Sequence, residues 1–390
     1  MKKLISILGS TGSIGLTTLK IIDIKKKKLK PYIFTANKNY NEICKQIFKY
    51  KPSCFIVDDQ ITYNKVKIKF KKSKTKILNN LNKIKIKKKS DITISAIPGI
   101  AGLKPSLKLI KHSKKILIAN KESVICGWQL IKKELKKNKT QLIPIDSEHF
   151  SIMNLLQGHK IDEISKIFLT ASGGPFLNYQ FSKLKNIKPK DALKHPKWKM
   201  GKKISIDSAT LMNKILELIE AQRLFNIPEK KLDIIIHPNS LVHAIIDFKN
   251  GLRKFIYHET TMIIPIANAI FEHKVDIKKF LKLGHKKQKI ENLTFMPVNK
   301  KIFPIINIKK RINEYSSTPI IINGANEIFV DQFLKKKAPY NGMIKIIMSI
   351  LNDRNYKKNA IQKPKNINQI IRINNWVKSE TLKKIKKLYG

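Results

Sequence analysis

Two carboxylates come directly after an apolar segment typical of a strand, Gln141 to Ile145. Asp146 and Glu148 stand two positions apart, and residues with that spacing point to the same side of an extended chain. Two negative charges this close repel each other unless a cation, a proton or a lysine compensates them. Carboxylate oxygens are the ligands that Mg²⁺ and Mn²⁺ prefer. The pair therefore indicates a divalent-cation site, with an exposed acidic turn as the alternative interpretation.

A third carboxylate occurs in the segment Ala209 to Phe225, which we expect to be one helix. Asn213, Lys214 and Glu217 stand three or four positions apart and therefore share one face of a helix. That face combines an amide, a cation and a carboxylate. Glu220, one turn further on, competes for the role of third metal ligand, but Glu217 is preferred because Lys214 and Asn213 lie beside it.

Two further segments have the residue types that bind phosphate. Ser172-Gly173-Gly174 can expose consecutive backbone N–H groups and a hydroxyl, which together form an anion-binding nest. Ser208 stands where an N-cap would precede the helix beginning at Ala209, and a helix start attracts phosphate. Lys214 would add a positive charge. An ordinary helix cap is the alternative for Ser208.

The loop from His195 to Gly201 contains an aromatic residue and a methionine among lysines and ends in glycine. Trp198 and Met200 need apolar surroundings, which either core packing or a bound substrate would supply. A short loop that ends in a flexible glycine is suited to closing over a site. We therefore expect either a lid over the substrate or a packed core segment.

A glycine-rich loop, Gly9-Ser10-Thr11-Gly12-Ser13-Ile14-Gly15, follows the first apolar strand and opens a helix. Glycines permit a tight turn and let the backbone approach a pyrophosphate, while the helix start offers free N–H groups. The spacing is a variant of the usual dinucleotide fingerprint. The loop predicts dinucleotide binding, with a plain tight turn as the alternative.

The end of the second predicted strand indicates which dinucleotide binds. NAD enzymes usually carry an acidic residue there, on the ribose hydroxyls. Thr35-Ala36-Asn37-Lys38-Asn39 contains no carboxylate, and Lys38 offers a cation instead. This favours the 2′-phosphate of NADP, with one more surface lysine as the alternative interpretation of Lys38.

These motifs require a scaffold, and the first 146 residues alternate short β-branched runs with helical stretches, the pattern of a doubly wound α/β domain. We expect a Rossmann-like NADPH-binding domain at 1–146, an α+β catalytic domain with a metal site and flap at 147–270, a linker at 271–300 and a helical domain at 301–390. The predicted strands of the first domain are Leu4 to Leu8, Tyr32 to Thr35, Cys54 to Val57, Ile92 to Ala96, Ile116 to Ala119 and Gln141 to Ile145.

The charge of the chain suggests another class of function. The 390 residues have a formal net charge of +53 and are 42% hydrophobic, which is enough for cores. A basic nucleic-acid-binding protein is therefore one hypothesis, and a different NADP oxidoreductase acting on a phosphorylated metabolite is another. Because the lysines are spread along the whole chain with many Ile and Asn, we interpret the charge as compositional drift and expect no nucleic-acid partner.

The location of the protein is also suggested by the sequence. Cys44, Cys54 and Cys126 form no C-x-x-C pair and are odd in number, as expected of reduced thiols. The start of the chain leads directly into a strand, without the apolar stretch of a secretory signal, and no run of about 18 uncharged apolar residues occurs. We expect a cytoplasmic protein without membrane partners.

Eight motifs together carry a resemblance to a known family. The chain resembles 1-deoxy-D-xylulose 5-phosphate reductoisomerases over nearly its full length, because that family has, in the same order, Gly9-Ser10-Thr11-Gly12-Ser13-Ile14-Gly15, Ala119-Asn120-Lys121-Glu122-Ser123, Asp146-Ser147-Glu148-His149, Ser172-Gly173-Gly174-Pro175-Phe176, His195-Pro196-x-Trp198-x-Met200-Gly201, Ile204-Ser205-x-Asp207-Ser208-Ala209-Thr210, Met212-Asn213-Lys214 and His237-Pro238-x-Ser240-x-x-His243.

The resemblance implies a homodimer and a reaction of the non-mevalonate isoprenoid pathway. The substrate would be 1-deoxy-D-xylulose 5-phosphate, and the cofactors NADPH and Mg²⁺ or Mn²⁺, with Co²⁺ a further candidate. The carbon skeleton would rearrange to 2-C-methyl-D-erythrose 4-phosphate, and reduction would give 2-C-methyl-D-erythritol 4-phosphate.

The resemblance also implies a role for each matching residue. The metal ligands would be Asp146, Glu148 and Glu217. The groups acting in catalysis would be Lys121, Glu148, His195 and His243. Substrate would contact Ser147, Glu148, Ser172, His195, Trp198, Ser208, Asn213, Lys214 and Glu217. NADPH would contact Thr11, Gly12, Ser13, Ile14, Lys38, Asn39, Asn120, Glu122 and Gly201. The chain departs from the family at Asn37 and Ile215, where glycine is usual, and around Thr260 to Ile263.

Overall fold

The structure is a computed structural model that describes residues 2–198, 200–281 and 292–390. Its strands are β1 (Lys3–Leu8), β2 (Leu29–Ala36), β3 (Cys54–Val57), β4 (Lys76–Leu78), β5 (Ser90–Ser95), β6 (Ser113–Ile118), β7 (Gln141–Pro144), β8 (Ile164–Ala171), β9 (Leu232–Ile236), β10 (Val242–Phe248) and β11 (Arg253–Tyr257). Its helices are α1 (Ser13–Ile24), α2 (Tyr40–Tyr50), α3 (Gln60–Lys69), α4 (Leu103–Ile110), α5 (Lys121–Asn138), α6 (Ser147–Leu155), α7 (Pro189–Ala192), α8 (Lys202–Ala209), α9 (Met212–Phe225), α10 (Ile263–Phe271), α11 (Lys278–Leu281), α12 (Thr318–Leu334), α13 (Gly342–Leu351), α14 (Tyr356–Ala360) and α15 (Ile367–Tyr389).

The described residues form two compact units. Unit 1 contains residues 2–123, 129–150 and 261–281, and unit 2 contains residues 124–128, 151–198, 200–260 and 292–390. The predicted boundaries at 146, 270 and 300 assumed contiguous segments, and they stay predictions. Residues 282–291 of the predicted linker lie outside the described residues.

Unit 1 is built around a seven-stranded parallel sheet in the order β4-β3-β2-β1-β5-β6-β7. Its central strand β1 buries Ile5, Ile7 and Leu8 completely, as a strand covered on both faces must. The Rossmann-like expectation is confirmed. The short strand β4 was not predicted, because Lys76–Leu78 lies in a lysine-rich stretch without a recognisable apolar run.

Unit 2 contains a four-stranded mixed sheet in the order β11-β10-β8-β9. Strands β8 and β9 are parallel, whereas β10 is antiparallel to both β8 and β11. The mixed sheet and its helices agree with the predicted α+β region. Strand β10 buries His243 within the sheet.

The C-terminal part of unit 2 is helical, as predicted. Helix α12 packs against α13 and α15. Ile321 and Phe329 of α12 and Val377 of α15 are among the buried side chains of this bundle. In the part of the chain that the structure describes, no helix is both long and apolar enough to cross a membrane.

The prediction of a single helix from Ala209 to Phe225 is wrong. Helix α8 ends at Ala209, α9 begins at Met212, and Leu211 between them has a φ of 62°. A left-handed residue cannot continue a right-handed helix, so the two helices change direction there. Ser208 therefore lies in the last turn of α8 and is not an N-cap of the following helix.

Candidate active site

The glycine loop of unit 1 is built by close backbone packing. Gly9 has a φ of 84°, and a Cβ there would lie 2.8 Å from the carbonyl oxygen of Ala96. A Cβ on Gly15 would lie 2.5 Å from the carbonyl oxygens of Gly9 and Ser10. Gly12 is the N-cap of α1 and has no side chain to cap it. The first N–H groups of α1 thus keep the capacity to bind a pyrophosphate, so the loop fits a dinucleotide.

Asn120 connects two loops at the carboxyl edge of the same sheet. It is the N-cap of α5, where its Oδ1 accepts from Ser123 N at 2.5 Å. Its Nδ2 donates to the carbonyl oxygens of Ile97 and Gly99. Asn120 is only 2% exposed, so it fixes where Lys121 and Glu122 begin the helix.

The end of β2 has the polar residues that were predicted for the adenosine side of the cofactor. Asn37, Lys38 and Asn39 are all exposed. The Asn39 side chain accepts from Glu42 N at 3.2 Å and caps α2. Among the residues at this strand end, Lys38 supplies a positive charge and none supplies a carboxylate, which suits an additional phosphate.

Asp146 and Glu148 lie beyond the carboxyl end of β7, as predicted, but not in an extended chain. Glu148 is in the first turn of α6, and its backbone N donates to Asp146 Oδ1 at 3.3 Å. The two carboxylates therefore lie close together because a helix begins between them, and the alternation of side chains along a strand is not the reason. The predicted extended conformation of this segment is wrong, although the two carboxylates do lie together beyond β7.

Donors surround the two carboxylates within unit 1. Lys121 Nζ lies 3.4 Å from Asp146 Oδ2, and His149 Nδ1 lies 3.1 Å from Asp146 Oδ1. Ser147 Oγ donates to Glu148 Oε2 at 2.7 Å. Both carboxylates are half-buried, so a compensating positive charge lowers the cost of keeping them together. Half-buried oxygen ligands of this kind fit a divalent ion.

The predicted polar face of α9 is confirmed. Lys214 Nζ donates to Glu217 Oε2 at 2.6 Å, and Asn213 Nδ2 donates to Glu217 Oε1. Glu217 is 1% exposed and Lys214 is 6% exposed. Glu220 is equally buried on the same helix, so burial does not separate the two carboxylates. The ion pair and the amide set Glu217 apart, since they fix both its oxygens.

Ser172 and His195 form a hydrogen-bonded pair in unit 2. His195 Nδ1 accepts from the backbone N of Trp198 at 2.9 Å and of Lys197 at 3.1 Å. The ring proton must then reside on Nε2, which donates to Ser172 Oγ at 3.0 Å. Ser172 Oγ also accepts from Gly174 N at 3.1 Å. The hydroxyl proton of Ser172 is therefore available to a further acceptor, such as a phosphate oxygen.

His195 is neutral at physiological pH. Burial, and then the charge of Lys214, lowers the pKa of His195 to about 4. A neutral imidazole can donate one proton and accept at the other nitrogen, which is what its contacts require. In this arrangement His195 orients a hydroxyl and does not supply a positive charge.

The predicted lid residues occupy an intermediate environment. Trp198 is half-buried, and its ring meets the ring of His243 edge to face with centroids 6.1 Å apart. His243 in turn stacks on His258 at 4.0 Å. Gly201 is the N-cap of α8. Trp198 is thus not fully buried, and the lid stays a prediction. Lys199 lies outside the described residues.

Sequence reasoning missed the residues that hold α8 in place. Asp207, one position before Ser208, is 1% exposed and accepts from Asn326 Nδ2 at 2.8 Å. Tyr340 Oη donates to the carbonyl oxygen of Ala209 at 2.5 Å. The partners are more than 100 residues apart in sequence, and no local pattern connects them. In the sequence of α12, Asn326 stands directly beside Glu327 and gives no separate signal of a special role.

Family comparisons agree along the chain. The family model for 1-deoxy-D-xylulose 5-phosphate reductoisomerase matches residues 5–127. The models for the C-terminal domain of the same enzyme match residues 142–225 and residues 259–380. The predicted nucleotide-binding loop and the three predicted metal ligands all lie within these ranges.

Similar proteins extend over nearly the whole chain. The 1-deoxy-D-xylulose 5-phosphate reductoisomerase of Pelagibacter ubique (strain HTCC1062) is 46% identical over 390 residues, covering 97% of this chain and 98% of that protein. The same enzyme of Wolbachia sp. subsp. Drosophila simulans (strain wRi) is 38% identical and covers 90% of each chain.

Solved structures show the same fold. A DOX-P reductoisomerase in complex with NADPH, fosmidomycin and magnesium is 30% identical, with a TM-score of 0.91 and 99% of each chain covered. The 1-deoxy-D-xylulose 5-phosphate reductoisomerase of Zymomonas mobilis in complex with NADPH is 29% identical, with a TM-score of 0.87 and complete coverage of both. The family models and the relatives match the chain over almost its full length, including the predicted site residues. The chain therefore belongs to the 1-deoxy-D-xylulose 5-phosphate reductoisomerase family.

Proposed function

We propose that the protein converts 1-deoxy-D-xylulose 5-phosphate to 2-C-methyl-D-erythritol 4-phosphate, with NADPH and a divalent metal ion. One observation of the structure carries the proposal. The glycine loop after β1 and the Asp146–Glu148 pair after β7 lie at the carboxyl edge of one parallel sheet. A reductant and a metal-binding substrate must meet for this reaction, and that edge is where such sheets bind ligands.

The metal ligands of the proposal are Asp146, Glu148 and Glu217. Asp146 and Glu148 are neighbouring half-buried carboxylates, and Glu217 is a buried carboxylate held by Lys214 and Asn213. When bound, a divalent ion acts as a Lewis acid and a template for oxygens of the substrate. Mg²⁺ and Mn²⁺ suit three carboxylates, and Co²⁺ is a further candidate.

Lys121, Ser147 and Glu148 orient the reacting oxygens in this proposal. The ammonium of Lys121 lies 3.4 Å from Asp146, so it can stabilise negative charge that develops on a substrate oxygen there. Ser147 fixes Glu148 through a 2.7 Å hydrogen bond. The substrate skeleton rearranges to 2-C-methyl-D-erythrose 4-phosphate, which is then reduced at the expense of NADPH.

The phosphate-binding residues of the proposal are Ser172, His195, Ser208, Asn213 and Lys214. Ser172 keeps a proton to donate, because its oxygen already accepts from His195 and Gly174. Lys214 supplies the positive charge. Phosphate binding anchors the substrate, and this remote binding energy serves to orient the reacting carbons.

The remaining assignments concern the cofactor and the assembly. NADPH would be bound by Thr11, Gly12, Ser13, Ile14, Lys38, Asn39, Asn120, Glu122 and Gly201. We further propose a homodimer, following the resemblance. A cytoplasmic location is also proposed, and the buried cysteines Cys44, Cys54 and Cys126, which form no disulfide, suit a reducing compartment.

Trp198 is proposed as the cover of a closing lid, with His243 beside it. The indole is half-buried, and the ring of His243 is its edge-to-face partner. Closure would exclude water from the reacting carbons. Trp198→Ala should therefore lower both substrate affinity and turnover, and wild-type kinetics of this variant would disprove the lid.

The proposed function is tested by NADPH consumption. The purified protein with Mg²⁺ or Mn²⁺ should oxidise NADPH when 1-deoxy-D-xylulose 5-phosphate is added, and excess chelator should stop the reaction. Unphosphorylated 1-deoxy-D-xylulose is the matched control and should react far more slowly. Mass spectrometry should identify 2-C-methyl-D-erythritol 4-phosphate. No oxidation of NADPH with either metal would contradict the proposal.

A further inference from the structure

The segment of residues 207–211, hereafter the phosphate turn, joins α8 to α9 in unit 2. It contains Ser208 and leads to Asn213 and Lys214. Leu211 N donates to the carbonyl oxygen of Ser208 at 3.1 Å, and Lys214 N donates to the carbonyl oxygen of Leu211 at 3.0 Å. The conformation of this turn therefore determines where the Ser208 hydroxyl on α8 lies relative to the Lys214 ammonium on α9.

The phosphate turn is strained. Leu211 has a φ of 62°, in the left-handed region that residues with a Cβ rarely adopt. Such a conformation persists only where surrounding contacts determine it. The contacts that hold this turn must come from outside α8 and α9, because the two helices by themselves would favour an ordinary helical residue at this position.

Three contacts from other parts of unit 2 hold the turn. Asn326 Nδ2 of α12 donates to Asp207 Oδ1 at 2.8 Å. Tyr340 Oη, just before α13, donates to the carbonyl oxygen of Ala209 at 2.5 Å. A Cβ on Gly174 would lie 3.0 Å from Ala209 Cα, so the Ser172–Gly174 segment packs directly on the turn.

A buried aspartate at position 207 contributes less to the stability of the fold than a well-packed apolar side chain would. Asp207 is 1% exposed, and its second oxygen accepts from Lys203 Nζ at 2.8 Å. A buried ion pair contributes little net stability compared with well-packed apolar side chains, but its hydrogen bonds fix geometry. Consecutive helical residues point about 100° apart, so anchoring Asp207 to α12 sets the direction of Ser208. A rotation of α8 by about 20° would move the Ser208 hydroxyl by roughly 1.5 Å.

We propose that Asp207 and Asn326 are positioning residues, which hold the phosphate turn so that Ser208 and Lys214 meet the substrate phosphate, with Tyr340 as a second support. The inference rests on the proposed function, because it takes Ser208 and Lys214 as phosphate-binding groups. It adds that the helical bundle of residues 318–389 contributes to substrate recognition through this turn.

The test removes and then restores the hydrogen bond. Asn326→Leu and Asn326→Asp each remove the donor, whereas the double exchange Asp207→Asn with Asn326→Asp reverses donor and acceptor. In the double variant the amide at 207 donates to the carboxylate at 326 and still accepts from Lys203. The control is Asn323→Leu, which removes another buried asparagine of α12, whose amide contacts Cys126 Sγ at 3.7 Å instead.

Four quantities are measured for each variant: KM and kcat for 1-deoxy-D-xylulose 5-phosphate, the inhibition constant of inorganic phosphate, the Kd of NADPH, and the Tm. The single variants at 326 should raise KM and the phosphate inhibition constant about tenfold, since small misplacements of binding groups have large effects. The Kd of NADPH should not change. The double exchange should restore both phosphate-dependent constants, and Asn323→Leu should lower only the Tm.

Unchanged KM and phosphate inhibition in the single variants would overturn the inference, as would a double exchange that restores the Tm but not these constants. If Asn326→Leu does not fold, Tyr340→Phe decides the question, because it removes only one hydroxyl and should weaken phosphate inhibition in the same direction. If the unmodified protein fails to turn over the substrate, the proposed function fails, and calorimetric binding of inorganic phosphate across the same variants still decides the inference.

Discussion

The glycine loop of unit 1 and the phosphate turn of unit 2 are both proposed to bind phosphate groups, but they are built differently. The loop is shaped by backbone contacts, because its glycines have no side chain. Its nearest partners are the ends of the neighbouring strands β2 and β5. The turn is held by side chains: those of Asn326 and Tyr340 donate hydrogen bonds to Asp207 and Ala209, which lie 119 and 131 positions earlier in the chain. The proposed phosphate sites thus depend on local sequence in one unit and on long-range contacts in the other.

The largest expected effect concerns Asp146 and Glu148, the carboxylates at the same sheet edge as the glycine loop. Glu148→Gln keeps the size and the oxygen that accepts from Ser147, but it removes the charge that a divalent ion requires. Turnover should fall by at least about 10³-fold, while the Tm stays near that of the unmodified protein. Steady-state kinetics and thermal unfolding check both points. The control, Glu163→Gln, changes an exposed carboxylate paired with His159 and should remain active; normal turnover of Glu148→Gln would refute the metal assignment.

The backbone character of the loop is tested by Gly15→Ala. The added Cβ would lie 2.5 Å from two carbonyl oxygens, and backbone cannot move aside as a flexible side chain can. The Kd of NADPH should rise about 100-fold, measured by the fluorescence of the bound nicotinamide. Leu16→Ala, on the exposed side of the same helix, should bind NADPH normally. If Gly15→Ala also binds normally, the loop does not depend on close packing and the contrast with the phosphate turn is lost.

The selectivity for NADPH over NADH is a smaller effect, also local in origin. Lys38 is exposed at the end of β2, and an exposed charge pair contributes about 1 kcal/mol or less. Lys38→Ala should raise the Kd of NADPH by up to about fivefold and leave that of NADH nearly unchanged. The loss should shrink at high salt. Lys45→Ala on α2 serves as the control for a general loss of positive charge, and equal losses for both cofactors would exclude contact with the 2′-phosphate.

The effect that appears under the narrowest conditions concerns the stability of unit 2 against pH, because it arises only below about pH 6.5. Burial lowers the pKa of His195 to about 4 from an unfolded value of 6.5. Between these values the unfolded chain binds more protons, so this group makes the free energy of unfolding decrease as pH falls from 6.5 towards 4. Its stabilising contribution is fully present above 6.5. His195→Gln should flatten this part of the profile in urea unfolding at several pH values, whereas an identical slope would mean that His195 titrates normally in the folded state.

Much of unit 1 was predictable because its signals are local. The strands are buried β-branched runs, and the nucleotide loop is identified by glycines at fixed spacing. Asp146 and Glu148 were identified by residue type, but the start of α6 between them was not anticipated, because Ser147 as the first residue of a helix was not weighed against continuation of the strand. The expectation of an extended chain was therefore wrong at the residues that matter most.

Unit 2 was less predictable because its geometry depends on distant partners. The sequence of Ala209 to Phe225 suggested one helix, whereas the left-handed conformation of Leu211 accompanies distant contacts from Asn326 and Tyr340 to the preceding residues. Strands β10 and β11 were not identified, since their pairing with each other and with β8 is not written in a local motif. The polar face of Asn213, Lys214 and Glu217 was predicted correctly, because helix geometry alone fixes it.

The separation of 119 positions between Asp207 and Asn326 also matters while the chain is being synthesised. A ribosome adding about 5–20 residues per second needs roughly 6 to 24 s to make this stretch, during which Ser208 already exists but its support does not. The nascent chain can complete the parallel sheet and its glycine loop before α12 emerges. Competence to hold the cofactor would then precede competence to hold a phosphorylated sugar, and a chain released before α12 would retain the first property and lack the second.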